Sequence, residues 1–105
     1  GLMTNTPSLR DSLTKAADES GEKFWELPLF DGYNKVIESK IADVKNTGNS
    51  WGGALTAGLF LKKFVGDTPW MHLDIAGPAF AERDYCSYIP LGGTGFAVRT
   101  LLRFL

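Results

Sequence analysis

The stretch from Trp70 to Phe80, WMHLDIAGPAF, restricts the possible folds more than any other part of the chain. Its first seven residues, 70–76, are mostly apolar, as in a buried strand. Gly77 and Pro78 then end the strand, because proline has no backbone N–H with which to continue a ladder of hydrogen bonds. A buried strand favours an α/β fold, and ligands of such folds bind beyond the carboxyl ends of the strands.

Helical and strand patterns on both sides of this stretch complete the predicted architecture. The strand–helix–strand succession from 41 to 76 is typical of a βαβ unit, with two parallel strands and a right-handed crossover. We therefore predict an α/β fold in which helices cover a partial mixed sheet. The predicted elements are a helix over about 6–20, a short helix over 32–39, a strand over 41–46, a helix over 54–65, the strand over 70–76, an irregular loop over 77–93 and a last helix opened by Thr94-Gly95.

The helix predicted over 54–65 is apolar on nearly every side, so we expect it to be buried. Ala54, Ala57 and Gly58 lie on one face of it at helical spacing. Small side chains allow the backbone of a helix to approach a sheet closely. The sequence therefore predicts close helix–sheet packing at this face.

Composition excludes several classes of protein. The 105 residues carry a formal net charge of -1 with scattered Lys and Arg, so we expect no nucleic-acid or polybasic membrane surface. The longest apolar run, 52–61, is too short to span a bilayer, and no secretory leader opens the chain. The single cysteine, Cys86, indicates no oxidising compartment. A soluble cytoplasmic protein is the expectation.

Three sets of residues offer candidate chemistry. His72 and Asp74 point to one face of a strand and could hold a metal or form an acid–base pair, although a structural polar pair has the same pattern. Cys86 is the only thiol, and nothing in the sequence places it beside His72, the only histidine. The segment from Gly93 to Gly95 lies at the start of a predicted helix, where free backbone N–H groups could bind a small anion. Alternatively, the segment is a tight turn in which Thr94 caps the helix.

Five motifs in a fixed order resemble the C-terminal portion of the leucyl aminopeptidase (cytosol aminopeptidase) family. Each motif alone is weak, and the five in register cover nearly the whole chain. They are Trp25-Glu26-Leu27-Pro28-Leu29, Asp43-Val44-Lys45-Asn46, the run from Gly53 to Leu61, the run from Trp70 to Gly77, and the run from Gly93 to Arg99.

The resemblance implies a parent metalloexopeptidase that removes apolar residues, leucine above all, from the N-termini of peptides. The family uses two divalent ions to polarise the peptide carbonyl and activate a water molecule. The ions are usually zinc, and manganese or magnesium can replace one of them. Its metal ligands and catalytic residues lie in motifs upstream of the matched region, so the resemblance assigns no catalytic residue and no metal ligand to this chain.

The resemblance also implies a binding role and an assembly. In the family, residues at the end of the HLDIAG strand and just after it line part of the pocket for the substrate's first side chain. By position these residues are Ala76, Gly77 and Ala79 in this chain. The family often has a larger side chain where Ala79 stands, so Ala79 implies a roomier pocket. The family's domain forms homohexamers, and a chain comprising only its last strands and helices would need the rest of the aminopeptidase chain as its partner. The alternative is a non-catalytic α/β module that binds an anion at Gly93 to Gly95.

Overall fold

Short strands alternate with helices along the chain, and a computed structural model describes every residue from 1 to 105. A 3₁₀ helix lies between the first two α-helices. In chain order the elements are β1 (Leu2–Thr4), α1 (Pro7–Ser20), the 3₁₀ helix (Asp31–Ile37), α2 (Gly53–Lys62), β2 (Met71–Leu73), α3 (Ala76–Ala79), β3 (Phe80–Ala81), β4 (Gly92–Gly93) and α4 (Val98–Phe104).

Strand β1 lies at the centre of the main sheet. On one side β2 pairs with it in antiparallel orientation, with Met3 opposite His72. On the other side the chain around Glu26 runs parallel to it, and the Leu2 N–H donates to the Trp25 carbonyl at 2.8 Å. Strands β3 and β4 form a separate antiparallel pair. The predicted α/β class with mixed strand pairing is therefore confirmed.

The predicted βαβ unit is wrong. Residues 41–46 form bends instead of a strand, because the Ser39 hydroxyl accepts the N–H groups of Ile41 and Ala42 at 3.3 and 3.0 Å and turns the chain there. The partner of β2 is β1, at the other end of the sequence, and the pairing is antiparallel. The strand itself is shorter than predicted, and Ala76 already belongs to α3.

Helix α1 agrees with its prediction in position and in the way it ends. Proline occupies the first turn, but the Thr6 hydroxyl donates to the Asn5 side chain at 2.7 Å instead of capping the helix. Gly21 adopts φ 71°, which favours glycine, and its N–H donates to the Asp18 carbonyl at 3.2 Å. The Glu22 N–H donates to the Ala17 carbonyl at 3.0 Å, which completes a Schellman motif.

The core is small and lies where α1 and α2 pack on β1. Helix α2 buries only the face that carries Thr56, Gly58 and Leu59, so the prediction of an almost fully buried helix is wrong. Its other apolar residues are half-buried, as Ala54, Leu55 and Phe60 are, or exposed, as Ala57 and Leu61 are. None of the helices combines the length and hydrophobicity needed to cross a bilayer. The buried apolar residues are Leu2, Met3, Leu13, Ala16, Ala17, Ile37, Leu59, Ala81 and Ala97.

Candidate functional site

A pocket of about 690 Å³ opens beside the short helix α3, just beyond the end of β2. Its walls come from three parts of the sequence, namely the α3 turn, the loop between β3 and β4, and the start of α4. Most of its lining side chains are apolar or aromatic, and a guanidinium and a carboxylate lie at its rim. The lining includes Gly77, Pro78, Phe80, Tyr88, Phe96 and Arg99.

The α3 turn holds all three residues that the sequence predicts for side-chain binding. Gly77 lines the pocket, whereas Ala76 and Ala79 do not. Residues three apart in a helical turn share a face, so these two alanines lie on the opposite side of the turn from Gly77 and Pro78. Ala76 is exposed and Ala79 is half-buried. The turn therefore presents two surfaces, one to the pocket and one formed by the alanine pair.

Thr94 ties this turn to the segment that leads into α4. Its hydroxyl donates to the Pro78 carbonyl at 2.5 Å, and its N–H donates to the Ala79 carbonyl at 3.0 Å. The same hydroxyl accepts the Phe96 N–H at 3.2 Å. Three hydrogen bonds thus fix the distance between the α3 turn and the start of the last helix.

Glu22 fixes the other side of this segment. Its side chain is 4% exposed, and its carboxylate accepts the Ala97 N–H at 3.1 Å and the Thr100 N–H at 3.0 Å. The Thr100 hydroxyl also donates to it at 2.6 Å, and the Arg99 Nε lies 3.7 Å away. A buried carboxylate is tolerated only when its oxygens are satisfied in this way.

These contacts determine the ionisation of Glu22. Burial by itself raises the pKa of the carboxyl group, but the hydrogen bonds from Thr100 and Ala97 and the charge of Arg99 lower it by more. The net pKa lies below its ordinary value, so the carboxylate is ionised at neutral pH.

Ala97 holds an unusual backbone conformation beside Glu22. Its φ is 75°, the left-handed region, and it is the only residue other than glycine with a positive φ. This conformation costs about 1–2 kcal/mol for a residue with a Cβ. The Ala97 side chain is buried and its N–H is bonded to Glu22, so packing and the carboxylate together hold the residue in place.

The predicted anion site at Gly93 to Gly95 is not formed. Helix α4 begins at Val98 instead of Thr94, and Gly93 lies in β4. The N–H groups of Ala97 and Thr100 point at the Glu22 carboxylate, and the Phe96 N–H points at the Thr94 hydroxyl. The negative group at this helix start is the carboxylate of Glu22, a side chain of the same chain.

The other candidate residues do not form a catalytic group. The His72 ring stacks on the Trp70 ring, with 6.2 Å between centroids, and makes no hydrogen bond to Asp74. The Asp74 carboxylate accepts the Ala76 N–H at 3.5 Å. Cys86 is exposed in a tight turn closed by a hydrogen bond of 3.0 Å from the Ile89 N–H to the Cys86 carbonyl. These residues therefore have structural or surface positions.

The side chains of this chain do not fit a two-metal centre. No three His, Cys, Asp or Glu side chains lie close enough together to hold a metal ion. The carboxylate nearest the pocket, Glu22, has its oxygens committed to backbone and hydroxyl donors.

Two residues that organise this site are not evident from the sequence. Glu22 stands in a polar turn after α1, and its partners are 75 and 78 positions away. Thr94 is recognisable only as a helix cap, although its hydroxyl bonds the α3 turn. The one local signal is the Gly21 stop, which predicts a sharp turn but not the burial of the side chain after it.

The comparisons with known proteins agree on one family. The model described as the cytosol aminopeptidase family, catalytic domain, matches residues 1–102. A probable cytosol aminopeptidase of Gloeobacter violaceus is 50% identical over 105 residues, which is 100% of this chain and 21% of that protein. The chain thus spans about a fifth of the length of the curated relatives that it matches.

Solved structures give the same result for the fold. The bottromycin maturation enzyme BotP in complex with Mn superposes with a TM-score of 0.92 at 39% identity, over 98% of this chain and 23% of that one. A mutant of tomato leucine aminopeptidase superposes with a TM-score of 0.88 at 38% identity, over 99% of this chain and 20% of that one. The fold described above is therefore found within these two larger chains.

Proposed function

Since the chain belongs to the cytosol aminopeptidase family, we propose that it forms the C-terminal portion of the catalytic domain of a metal-dependent leucyl aminopeptidase. The enzyme removes apolar residues from the N-termini of peptides. Residues 1–105 contribute part of the fold, oligomer contacts and one wall of the side-chain pocket, whereas the metal-binding part lies outside them. The observation that carries this proposal is the family match across 1–102 by a chain one fifth the length of its relatives.

The surface of the chain supports a role as part of a larger domain. Its accessible area is 7424 Å², whereas a compact monomer of this length exposes about 5,800 Å². Only 13 of 105 residues are buried, so most apolar side chains remain at least partly exposed in this chain. The large exposed side chains include Trp25, Ile41, Trp51, Phe64, Leu102 and Leu105. A covering layer from the rest of the aminopeptidase chain would bury them.

The proposed enzyme has two divalent ions, which residues outside this chain hold. The ions are zinc, manganese or magnesium. BotP was solved with Mn, which supports metal dependence in a structural relative. When bound, the ions polarise the scissile carbonyl and activate water. The residues of this chain act beside that centre.

In this proposal the turn that carries Ala76, Gly77 and Ala79 binds the first side chain of the substrate, through the face that presents the two alanines and faces away from the pocket lined by Gly77. Small apolar residues leave room for a leucine side chain and exclude water from it, and Gly77 allows the backbone to come close. Burying a leucine side chain is worth about 2 kcal/mol, which favours apolar over polar N-terminal residues. Ala79 determines how much room the wall leaves for the substrate's side chain, because its own side chain is only a methyl group.

Assembly and location complete the proposal. The parent enzyme acts on peptides in the cytoplasm as a homohexamer. Support for the cytoplasm comes from the names of the relatives, which are cytosol aminopeptidases. The exposed apolar residues offer more surface than one covering layer requires, which is consistent with further contacts between subunits.

The test is a chimera in which residues 1–105 replace the matching 21% of the Gloeobacter violaceus relative. We expect the purified chimera to sediment as a hexamer and to hydrolyse leucine p-nitroanilide when manganese or zinc is added. The unmodified relative is the control for the assay. A folded, hexameric chimera without turnover, beside an active relative, would contradict the proposal.

A further inference from the structure

The buried carboxylate of Glu22 has no role in the proposed chemistry, yet it contacts the segment that forms one wall of the pocket. It accepts three hydrogen bonds from Ala97 and Thr100, at the start of α4. These bonds join the end of α1 to the start of α4, and the side chain itself lines the pocket.

Hydrogen bonds at both ends of the segment 94–97, joined by its backbone, connect this carboxylate to the α3 turn. Glu22 holds Ala97 in its left-handed conformation, and this fixes the direction of the preceding residue, Phe96. The Phe96 N–H donates to the Thr94 hydroxyl at 3.2 Å. Thr94 in turn donates to the carbonyls of Pro78 and Ala79.

We infer that Glu22 is a positioning residue that, through Thr94, holds the 76–79 turn in place and thereby sets selectivity for the first residue of the substrate. The inference rests on the proposed function, because the turn carries the wall of the side-chain pocket. Glu22 makes no hydrogen bond to the turn and reaches it only through residues 94–97. The substrate class is unchanged: peptides with an apolar N-terminal residue.

The variant Glu22→Gln tests the start of this connection in the chimera. The amide keeps the size of the side chain, but its NH₂ group faces donors and cannot accept from them. We expect kcat/KM for leucine p-nitroanilide to fall relative to kcat/KM for alanine p-nitroanilide, with the ratio decreasing about tenfold. A purely structural role would lower both values by the same factor and leave the ratio unchanged.

Glu19→Gln is the matched control. Glu19 is also a carboxylate on α1 that bonds α4, through the Arg103 Nε at 2.7 Å, but its partner lies at the far end of that helix from the pocket. We expect the leucine-to-alanine ratio of this variant to equal that of the unsubstituted chimera. An equal change of ratio in both variants would overturn the inference.

Thr94→Val tests the second part of the connection, between Thr94 and the α3 turn. It leaves the hydrogen bonds of Glu22 intact, so it still tests the inference if Glu22→Gln fails to fold. Removing the hydroxyl loses its bonds to Phe96 and Pro78. We expect the same change of ratio as in Glu22→Gln, and no further change when both substitutions are combined. Additive effects, or an unchanged ratio in Thr94→Val, would overturn the inference.

Amide hydrogen exchange gives a readout that needs no activity. In Glu22→Gln we expect faster exchange at residues 76–81 as well as at residues 94–100, whereas Glu19→Gln leaves 76–81 unchanged. If the unsubstituted chimera is inactive, the proposed function fails and the role in selectivity fails with it, whereas exchange at 76–81 still decides whether Glu22 holds the turn in place. Unchanged exchange there in Glu22→Gln would refute it.

Discussion

Glu22 stabilises the native chain only while its carboxylate is ionised, and this makes its contribution dependent on pH. Its pKa lies below the ordinary value of 4.5 in the folded state, so the stabilisation is complete above that value and is lost as the pH falls through the folded pKa. We expect Glu22→Gln to destabilise the chimera by about 1–3 kcal/mol at neutral pH.

Thermal unfolding of both proteins between about pH 3 and pH 7 measures this effect. The difference in Tm between the chimera and Glu22→Gln should be constant above about pH 5 and should shrink towards lower pH. A difference that stayed the same down to pH 3 would show that the charge of Glu22 does not stabilise the fold.

Ala79 determines the room available to the substrate in the proposed pocket wall. We expect Ala79→Met in the chimera to fill part of this space and to lower kcat/KM for leucine p-nitroanilide by about tenfold, with a smaller loss for alanine p-nitroanilide. Steady-state kinetics with the two substrates measure the change. The control is Glu19→Gln, a charged residue whose partner Arg103 lies at the far end of α4 from the pocket, and it should leave both values unchanged. Equal losses for both substrates in Ala79→Met would contradict a role in side-chain selection.

At the scale of elements, α2 approaches β1 most closely at Gly58. A Cβ placed there would lie 2.5 Å from the sulfur of Met3, a side chain that is fully buried. We expect Gly58→Val to destabilise the chimera by about 1–3 kcal/mol, because the core would have to move. Gly53→Ala is the control, since a Cβ there meets nothing within 4 Å. Chemical denaturation measures both, and equal midpoints for Gly58→Val and the unsubstituted chimera would contradict close packing.

The same elements show how much of the fold the sequence predicts. The periodicity of α1 and the Gly21 stop are local signals, and both are found in the structure. Of the small-residue face predicted for α2, Gly58 does approach a strand closely, whereas Ala57 is exposed. Strand β1 has only three residues and pairs with β2 about 70 positions away, so no local pattern reveals it. The βαβ prediction failed because it chose the nearest apolar run, 41–46, as the partner.

In the candidate site, as in the fold, the sequence indicates local features but not contacts between distant residues. The motif around Gly77 is a local signal, because the end of a strand and the glycine are consecutive in sequence, and of its three predicted residues Gly77 alone lines the pocket. The contacts of Glu22 with Thr100 and of Thr94 with Pro78 join residues 78 and 16 positions apart. Such pairs depend on how α1 and α4 pack, which composition and periodicity do not determine.

At the scale of the whole molecule, the chain is a flat layer. It measures 49 × 32 × 17 Å, and its radius of gyration is 15.6 Å, whereas about 13 Å is typical of a compact domain of this length. We expect the isolated 105 residues to self-associate or to unfold without cooperativity, because their exposed apolar surface has no partner. Light scattering after size exclusion, together with a thermal melt, measures this. A monomer with one sharp unfolding transition would contradict it.

The most direct test of the account is complementation between two separately purified pieces. One piece is residues 1–105, and the other is the Gloeobacter violaceus relative without the 21% that matches them. We expect neither piece alone to hydrolyse leucine p-nitroanilide with added manganese, and the mixture to do so as the two pieces associate. Turnover by residues 1–105 alone would place the metal and catalytic groups within this chain and contradict the account. A stable complex of the two pieces without turnover would contradict it as well.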